Sequence, residues 1–168
     1  MKAIYTRRSI RKYAPELVPR DMLRDFVRAG MNAPSAGDQQ PWHFVVVTER
    51  SLLDAVPSFH PHAKMLLEAP AAIVVCGEPA LEKHKGYWVQ DCSAATQNIL
   101  LEIADRGYGG VWLGVYPRTD RVEGMRALLG APESVVPFSI IAVGRPAEEK
   151  EPKNVFRPER LHENRWTG

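Results

Sequence analysis

At 168 residues, with 45% hydrophobic and 25% charged residues, the chain has the proportions of one globular domain able to bury a core. A net charge of +2 is too small for a nucleic-acid-binding surface, so no such partner is expected and any phosphate site must be local. No apolar run approaches the ~20 residues of a membrane span and no signal-like segment opens the chain, so the expectation is no membrane contact and a cytoplasmic location.

Residues 2–8 suit one or two helical turns with Ile4 and Tyr5 facing inward. They run into Arg7-Arg8-Ser9-Ile10-Arg11-Lys12-Tyr13, a dense basic cluster. Arginine's planar fork matches phosphate oxygens two at a time, and a serine hydroxyl can add one more bond. The same run also suits a solvated basic arm. Val18-Pro19-Arg20-Asp21 opens a helix, with proline near the first turn and Asp21 at its positive end. Leu23, Phe26, Val27 and Gly30 give that helix one apolar face, and Asn32–Pro34 breaks it.

Ser35 is placed to cap a short helical segment, Ala36-Gly37-Asp38-Gln39. A helix start also presents free N–H groups to an anion or an electron-rich carbonyl edge. Pro41-Trp42 then feeds a buried strand over residues 43–48, and residues 49–56 read as a surface helix. His60-Pro61-His62 invites a metal, but no third ligand at suitable spacing joins the two histidines, and no metal site is expected. Lys64 follows on a short helix before the strand of residues 71–76. Residues 77–85 are polar and short.

Residues 87–106 carry the longest helical pattern, through Trp88, Cys92, Ala95, Ile99, Leu100 and Ile103. Its small residues Ser93, Ala94 and Ala95 allow close helix–helix approach and favour an interface. Gly107-x-Gly109-Gly110-x-x-x-Gly114 hints at a dinucleotide fingerprint, but these glycines follow a helix and enter a strand, the reverse of the required order. That strand spans residues 111–116, Thr119 caps a helix through Leu129 closed by Gly130, and residues 135–143 form the last strand. Residues 148–153 read as a charged linker. The tail after it, with apolar anchors Phe156, Leu161 and Trp166, has no core of its own. Cys76 and Cys92 sit in apolar company without a C-x-x-C pair and are expected as buried reduced thiols. The pattern of elements indicates an α+β fold with a mixed central sheet flanked by helices.

Arg7-Arg8-Ser9-x-Arg11, followed by Ala33-Pro34-Ser35-Ala36-Gly37-x-x-Gln40-Pro41-Trp42 ahead of a strand, resembles the nitroreductase family of flavin-dependent oxidoreductases. The similarity continues around Gly110–Gly114 and Arg157–His162. The resemblance implies a single domain over residues 1–168, a domain-swapped homodimer with FMN between subunits, and residues 150–168 as a tail packing on the partner subunit. It implies that Arg7, Arg8 and Ser9 hold the phosphate and ribityl chain, with Arg157 reaching the phosphate from the tail. Arg11 is implied at the pyrimidine edge, Lys64 near the ring, and the Leu113-Gly114 backbone at the N5 edge. Pro34, Ser35 and Ala36 would come from the other subunit, within a cofactor-binding motif that also includes Asp38 and Gln40. Asp38 departs from the family, which usually has asparagine there. With chemistry centred on the flavin, no catalytic side chain is expected. The implied activity is two-electron transfer from NADH or NADPH to a nitroaromatic, quinone or related small-molecule acceptor, in ping-pong order. Alternatives are reductive dehalogenation or oxygen-dependent flavin cleavage on the same fold, or a non-catalytic flavin-binding module.

Overall fold

The computed structural model describes residues 2–153 and 155–166. Its centre is a four-stranded sheet of β1 (Trp42–Val47), β2 (Ala71–Gly77), β3 (Gly109–Gly114) and β4 (Val136–Gly144), in the order β1-β2-β4-β3. All three strand pairings are antiparallel. Parallel character is confined to an isolated bridge between Ser9 and Gly110 at the β3 edge. The helices are α1 (Ala3–Thr6), α2 (Arg20–Met31), α3 (Arg50–Ala55), α4 (Trp88–Asp105) and α5 (Thr119–Leu129). The α+β arrangement is the expected one, but the four-stranded sheet is antiparallel rather than mixed. Among the described residues no helix is long and apolar enough to cross a membrane.

Side chains alternate across a strand, so the two central strands feed two cores. Ile73, Val75 and Ile141 pack with Leu23 and Phe26 of α2 and with Cys92, Ala95 and Ile99 of α4. Val74 and Ile140 pack on the other side with Leu53, Leu66, Val122 and Met125. Burial on both faces explains why β2 is apolar from end to end. Thr96 and Ser139, both buried, bond to each other at 2.9 Å and so meet part of their polar demand inside the core. Cys76 and Cys92 are free buried thiols, and burial pushes the Cys76 thiol up to about 12.

Several local expectations change. Ile4 and Tyr5 point outward, 55% and 61% exposed, because the one-turn helix α1 buries only the small Ala3. β3 begins at Gly109 rather than residue 111, since Gly109 pairs with Gly144. Glycine is required there: an added Cβ would lie 2.7 Å from the Ile10 side chain. Thr119 is already the first helical residue of α5, and Arg118 occupies the cap position without a side-chain capping bond. Gly130 does close α5, in the left-handed conformation at φ 62°. Ala95 belongs to the chain's own core, and the Ser93 hydroxyl donates to its own helix at Val89.

The register also fixes which loops share an end of the sheet. Trp42 pairs with Gly77, Gly77 with Val136, and Gly114 with Ser139. The chain before β1, the chain after β2 and the chain after β3 therefore gather at one end. Along that end the β1 edge and the β3 edge stand three inter-strand spacings apart, about 14 Å. Gly77 closes β2 directly under Trp88, where an added Cβ would sit 2.3 Å from the indole ring. Gly77→Ala should lower stability by about 1–3 kcal/mol through overpacking, visible as a lower urea midpoint without a change in slope.

Candidate functional site

Two cavities lie along β3. The first, about 220 Å³, is lined by Arg7, Arg8, Gly107, Tyr108, Gly110, Pro146, Glu148 and Lys150 among others. The Ile10 N–H donates to the Gly110 carbonyl at 3.1 Å, which brings the arginine run onto the strand. Arg8 Nε is buried there with no partner. Lys150 Nζ donates to the Ser9 carbonyl at 2.8 Å and stands 3.1 Å from Glu148 Oε1. Glu148 also accepts from the Arg11 N–H. That backbone bond, with Lys150 beside it, holds the carboxyl below its ordinary value. Residues 148–150 are thus folded against the arginine segment and not a free linker.

The second cavity, about 440 Å³, is lined by Arg11, His60, Pro61, His62, Lys64, Met65, Trp112, Leu113, Gly114 and Arg121. Three of these carry permanent positive charge and none is acidic. Lys64 opens a 3-10 turn, Lys64–Leu67, and is exposed. A Cβ added at Gly114 would meet nothing within 4 Å, so the strand end offers open space to a flat ligand. Beneath it, the Gly114 carbonyl accepts two bonds at 2.9 Å, one from His60 and one from Arg121 Nη1. A carbonyl can only accept, so His60 carries its proton on Nε2 and keeps a lone pair on Nδ1. That Nδ1, like Arg121 Nε, is buried without a partner. Burial is the main cause that puts the imidazole below its ordinary value of 6.5. The Gly114 bond opposes the shift, and the Arg121 charge adds to it.

The motif loop lies elsewhere. Ala36–Asp38 form a 3-10 turn, but Ser35 does not cap it. The Ala36 N–H goes instead to Asp91 Oδ1 of α4 at 3.0 Å, and Ser35 Oγ accepts from the Gln40 N–H at 3.1 Å. Gln39 Nε2 donates to Asp91 Oδ2 at 2.7 Å, while Gln39 Oε1 accepts from the Lys83 and His84 N–H groups at 2.9 and 3.0 Å. Among the described residues, Asp38 makes no ion pair with an arginine. Its carboxylate accepts from Gln40 Nε2 at 2.7 Å, and its backbone is left-handed at φ 52°, a conformation aspartate and asparagine both tolerate.

So the structure brings Arg7, Arg8 and Ser9 to one end of β3 and Arg11, Lys64, Leu113 and Gly114 to the other. Pro34, Ser35, Ala36, Asp38 and Gln40 remain beside β1, and Arg157 stays in the exposed tail just before the 3-10 turn Pro158–Arg160. Neither the turn nor Arg157 lines either cavity.

A family model described as the nitroreductase family matches residues 4–145. The chain belongs to the nitroreductase family. A relative of this nitroreductase-family chain from Methanothermobacter thermautotrophicus, provisionally named NADH dehydrogenase/NAD(P)H nitroreductase, is 50% identical over 99% of this chain and 87% of its own. The crystal structure of a Parabacteroides distasonis protein with the same provisional name superposes with a TM-score of 0.94 at 41% identity, covering 98% of this chain and 97% of that one. An FMN-dependent nitroreductase from Clostridium difficile superposes with a TM-score of 0.89 at 28% identity, covering 95% and 96%.

His60, Arg121, Lys150, Gln39 and Asp91 of this nitroreductase-family chain were not legible as site residues. His60 was visible only as half of a histidine pair, and Lys150 only as part of a charged run. A buried aspartate in the first turn of α4 is the one signal that periodicity offered, since Asp91 falls on the apolar face. For His60 the sign of its pH effect is fixed. The unfolded imidazole takes up a proton near 6.5 and the folded one only at lower pH, so stability is lost as pH falls through about 6.5. A glutamine in its place keeps a donor for the Gly114 carbonyl without titrating. His60→Gln should therefore flatten this part of the profile of unfolding free energy against pH.

Proposed function

We propose that the protein is an FMN-dependent oxidoreductase that passes two electrons from NADH or NADPH to a nitroaromatic, quinone or related small-molecule acceptor, donor and acceptor binding in ping-pong order. The observation that carries this reading is the line of unneutralised donors along β3. At one end stand Arg7 and Arg8, the latter with its orphaned Nε; at the other, Arg11, Lys64 and Arg121 surround an open glycine. A phosphate suits the first set because guanidinium forks match its oxygens. A planar, electron-accepting ring suits the second, where apolar Trp112, Leu113 and Met65 adjoin cations. The provisional names of the relatives and the FMN-dependent neighbour agree with it.

Arg7, Arg8, Ser9 and Lys150 would hold the phosphate and ribityl chain, and Arg157 would reach the phosphate from the tail. Arg11 and Lys64 would meet the polar edge of the ring, with Leu113 and Gly114 against it. When bound, FMN supplies the two-electron chemistry that no side chain here can. The chain's own part is to hold that group and to keep positive charge beside it. Arg11, Lys64 and Arg121 favour negative charge in the cavity, since no lining carboxylate opposes them. His60 commits its Nε2 proton to the Gly114 carbonyl, so it is no proton donor to the cavity at that atom.

Pro34, Ser35, Ala36, Asp38 and Gln40 would come from the partner subunit of a homodimer. In one chain their loop stands at the β1 edge while the cations follow β3. Exposed Ile4, Tyr5, Met31, Phe156, Leu161 and Trp166 supply apolar surface for that pairing.

The purified protein should show the visible flavin band and bleach on addition of NADH or NADPH under anaerobic conditions. Bound FMN that neither nicotinamide bleaches would leave a non-catalytic flavin carrier. Arg8→Ala should weaken FMN binding by about 1.5–3 kcal/mol, as for loss of a charged hydrogen bond, measured by fluorescence quenching of added FMN. Truncation before Val155 should lower both FMN occupancy and the dimer fraction in sedimentation. A monomeric truncation product with full flavin occupancy would remove the tail from the site.

A further inference from the structure

We propose that Asp91 is a positioning residue for the Ser35–Gln40 turn. Through Gln39 it locks this turn and residues 83–84 into one unit that presents the turn to the partner's cofactor. The proposal rests on the FMN reading above.

The orientation of Gln39 follows from its partners. Two backbone N–H groups, of Lys83 and His84, point at one end of its amide, and only the oxygen can accept them. The amide nitrogen is thereby turned onto Asp91 Oδ2 at 2.7 Å. The other oxygen of Asp91 takes the Ala36 N–H. Asp91 and Gln39 are 4% and 7% exposed, so neither bond is shared with bulk water. The position faces two donors and needs a side chain that only accepts, which is what an ionised carboxylate is. Its charge also falls in the first turn of α4, the favourable end of the helix dipole.

What the pair holds is a turn the backbone does not favour by itself. Gly37, Asp38 and Gln40 all have left-handed φ, at 54°, 52° and 47°. Glycine and aspartate tolerate this conformation but glutamine does not readily, so at Gln40 it persists only where the surroundings over-determine it. Lys83 Nζ reaches the Gly37 carbonyl at 3.4 Å, and an added Cβ at Gly37 would sit 2.6 Å from the His84 ring, so residues 83–84 lie directly on the turn. The outward members of the turn add nothing to either core. A buried network that fixes an outward-facing, strained turn serves what the turn presents.

The bond pattern permits an exchange of roles. In Asp91→Asn, two amide nitrogens meet, or Gln39 flips and abandons Lys83 and His84, or the asparagine turns its NH2 onto the Ala36 N–H and abandons that donor. In Gln39→Glu, two carboxylates meet. In the double variant, the introduced asparagine donates to the introduced glutamate and still accepts from the Ala36 N–H. The glutamate in turn still accepts from Lys83 and His84, so every bond is restored. Each single variant should weaken FMN binding about tenfold or more, shift the visible flavin band, and raise the acceptor KM per bound flavin. The double variant should return FMN binding to within about threefold of wild type. Single variants with a lower Tm but wild-type FMN affinity, spectrum and KM would overturn the proposal, as would a double variant no better than the worse single. If neither single variant folds, the double must fold and bind FMN, and its failure also overturns the proposal. A wild type that binds no FMN overturns the functional reading instead. The linkage is then decided by hydrogen exchange: in Asp91→Asn protection should fall at the Ala36 amide or at the Lys83 and His84 amides, according to which amide turns, and it should return at all three in the double variant.

Discussion

An edge strand leaves a row of N–H and C=O groups without partners, and β3 meets that demand with the N-terminal segment. Ile10 donates to Gly110, and Ser9 makes the parallel bridge. A few residues on, Tyr13 bridges to Pro146, and its buried hydroxyl donates to the Ile10 carbonyl at 2.7 Å. Burial pushes that phenol's pKa up, so it stays a donor. With Ile10 turned into the core, its neighbours Ser9 and Arg11 face the other way in an extended chain. Arg7 and Arg8 then fall beside Gly107–Gly110, and Arg11 beside Trp112–Gly114. The placement of the cations is a consequence of closing the sheet.

Cations gather around that edge. Elsewhere, Arg24, Arg28, Arg50, Arg106 and Arg118 each stand within 4.0 Å of a carboxylate close by in the chain. Such exposed pairs contribute little to stability, but they do cancel charge. Among the described residues, Arg7, Arg8, Arg11, Lys64 and Arg121 have no such ion pair. The one carboxylate nearby, Glu148, is taken by the Arg11 N–H and by Lys150. In a molecule of net charge +2, five cations without such an ion pair thus stand along one strand. An anionic, elongated ligand would be held there by contacts rather than by a general field.

The sequence is legible where periodicity or local chemistry speaks. Helices α2 and α4 and strands β2 and β4 follow from apolar spacing, and the arginine cluster and the proline-serine turn from their composition. The failures share a cause, since most depend on a partner distant in the chain. Ser35 reads as the cap of its turn, but the bond to the Ala36 N–H comes from Asp91, 55 residues further along. Lys150 reads as linker until Ser9 is placed beside it, 141 positions earlier. His60 reads only as half of a histidine pair without a third ligand until the Gly114 carbonyl claims its nitrogen. Ile4 and Tyr5 look like core because nothing local says that Ala3 alone will be buried.

The two halves of the family motif lie on different edges of one sheet, and this bears on assembly. The arginine segment can only follow β3, because its backbone bonds are with that strand. The Ser35–Gln40 turn can only stand before β1, because Asp91 and Gln39 tie it to α4 and to the chain leaving β2. With β2 and β4 between them, a ligand on the β3 edge is about 14 Å from the turn measured across the strands. The intervening strands are buried on both faces and leave no channel through the sheet. In the proposed reading a second chain would supply the turn that meets the first chain's arginines. The exposed apolar residues of α1 and the tail then have a surface to cover, which an isolated chain does not give them.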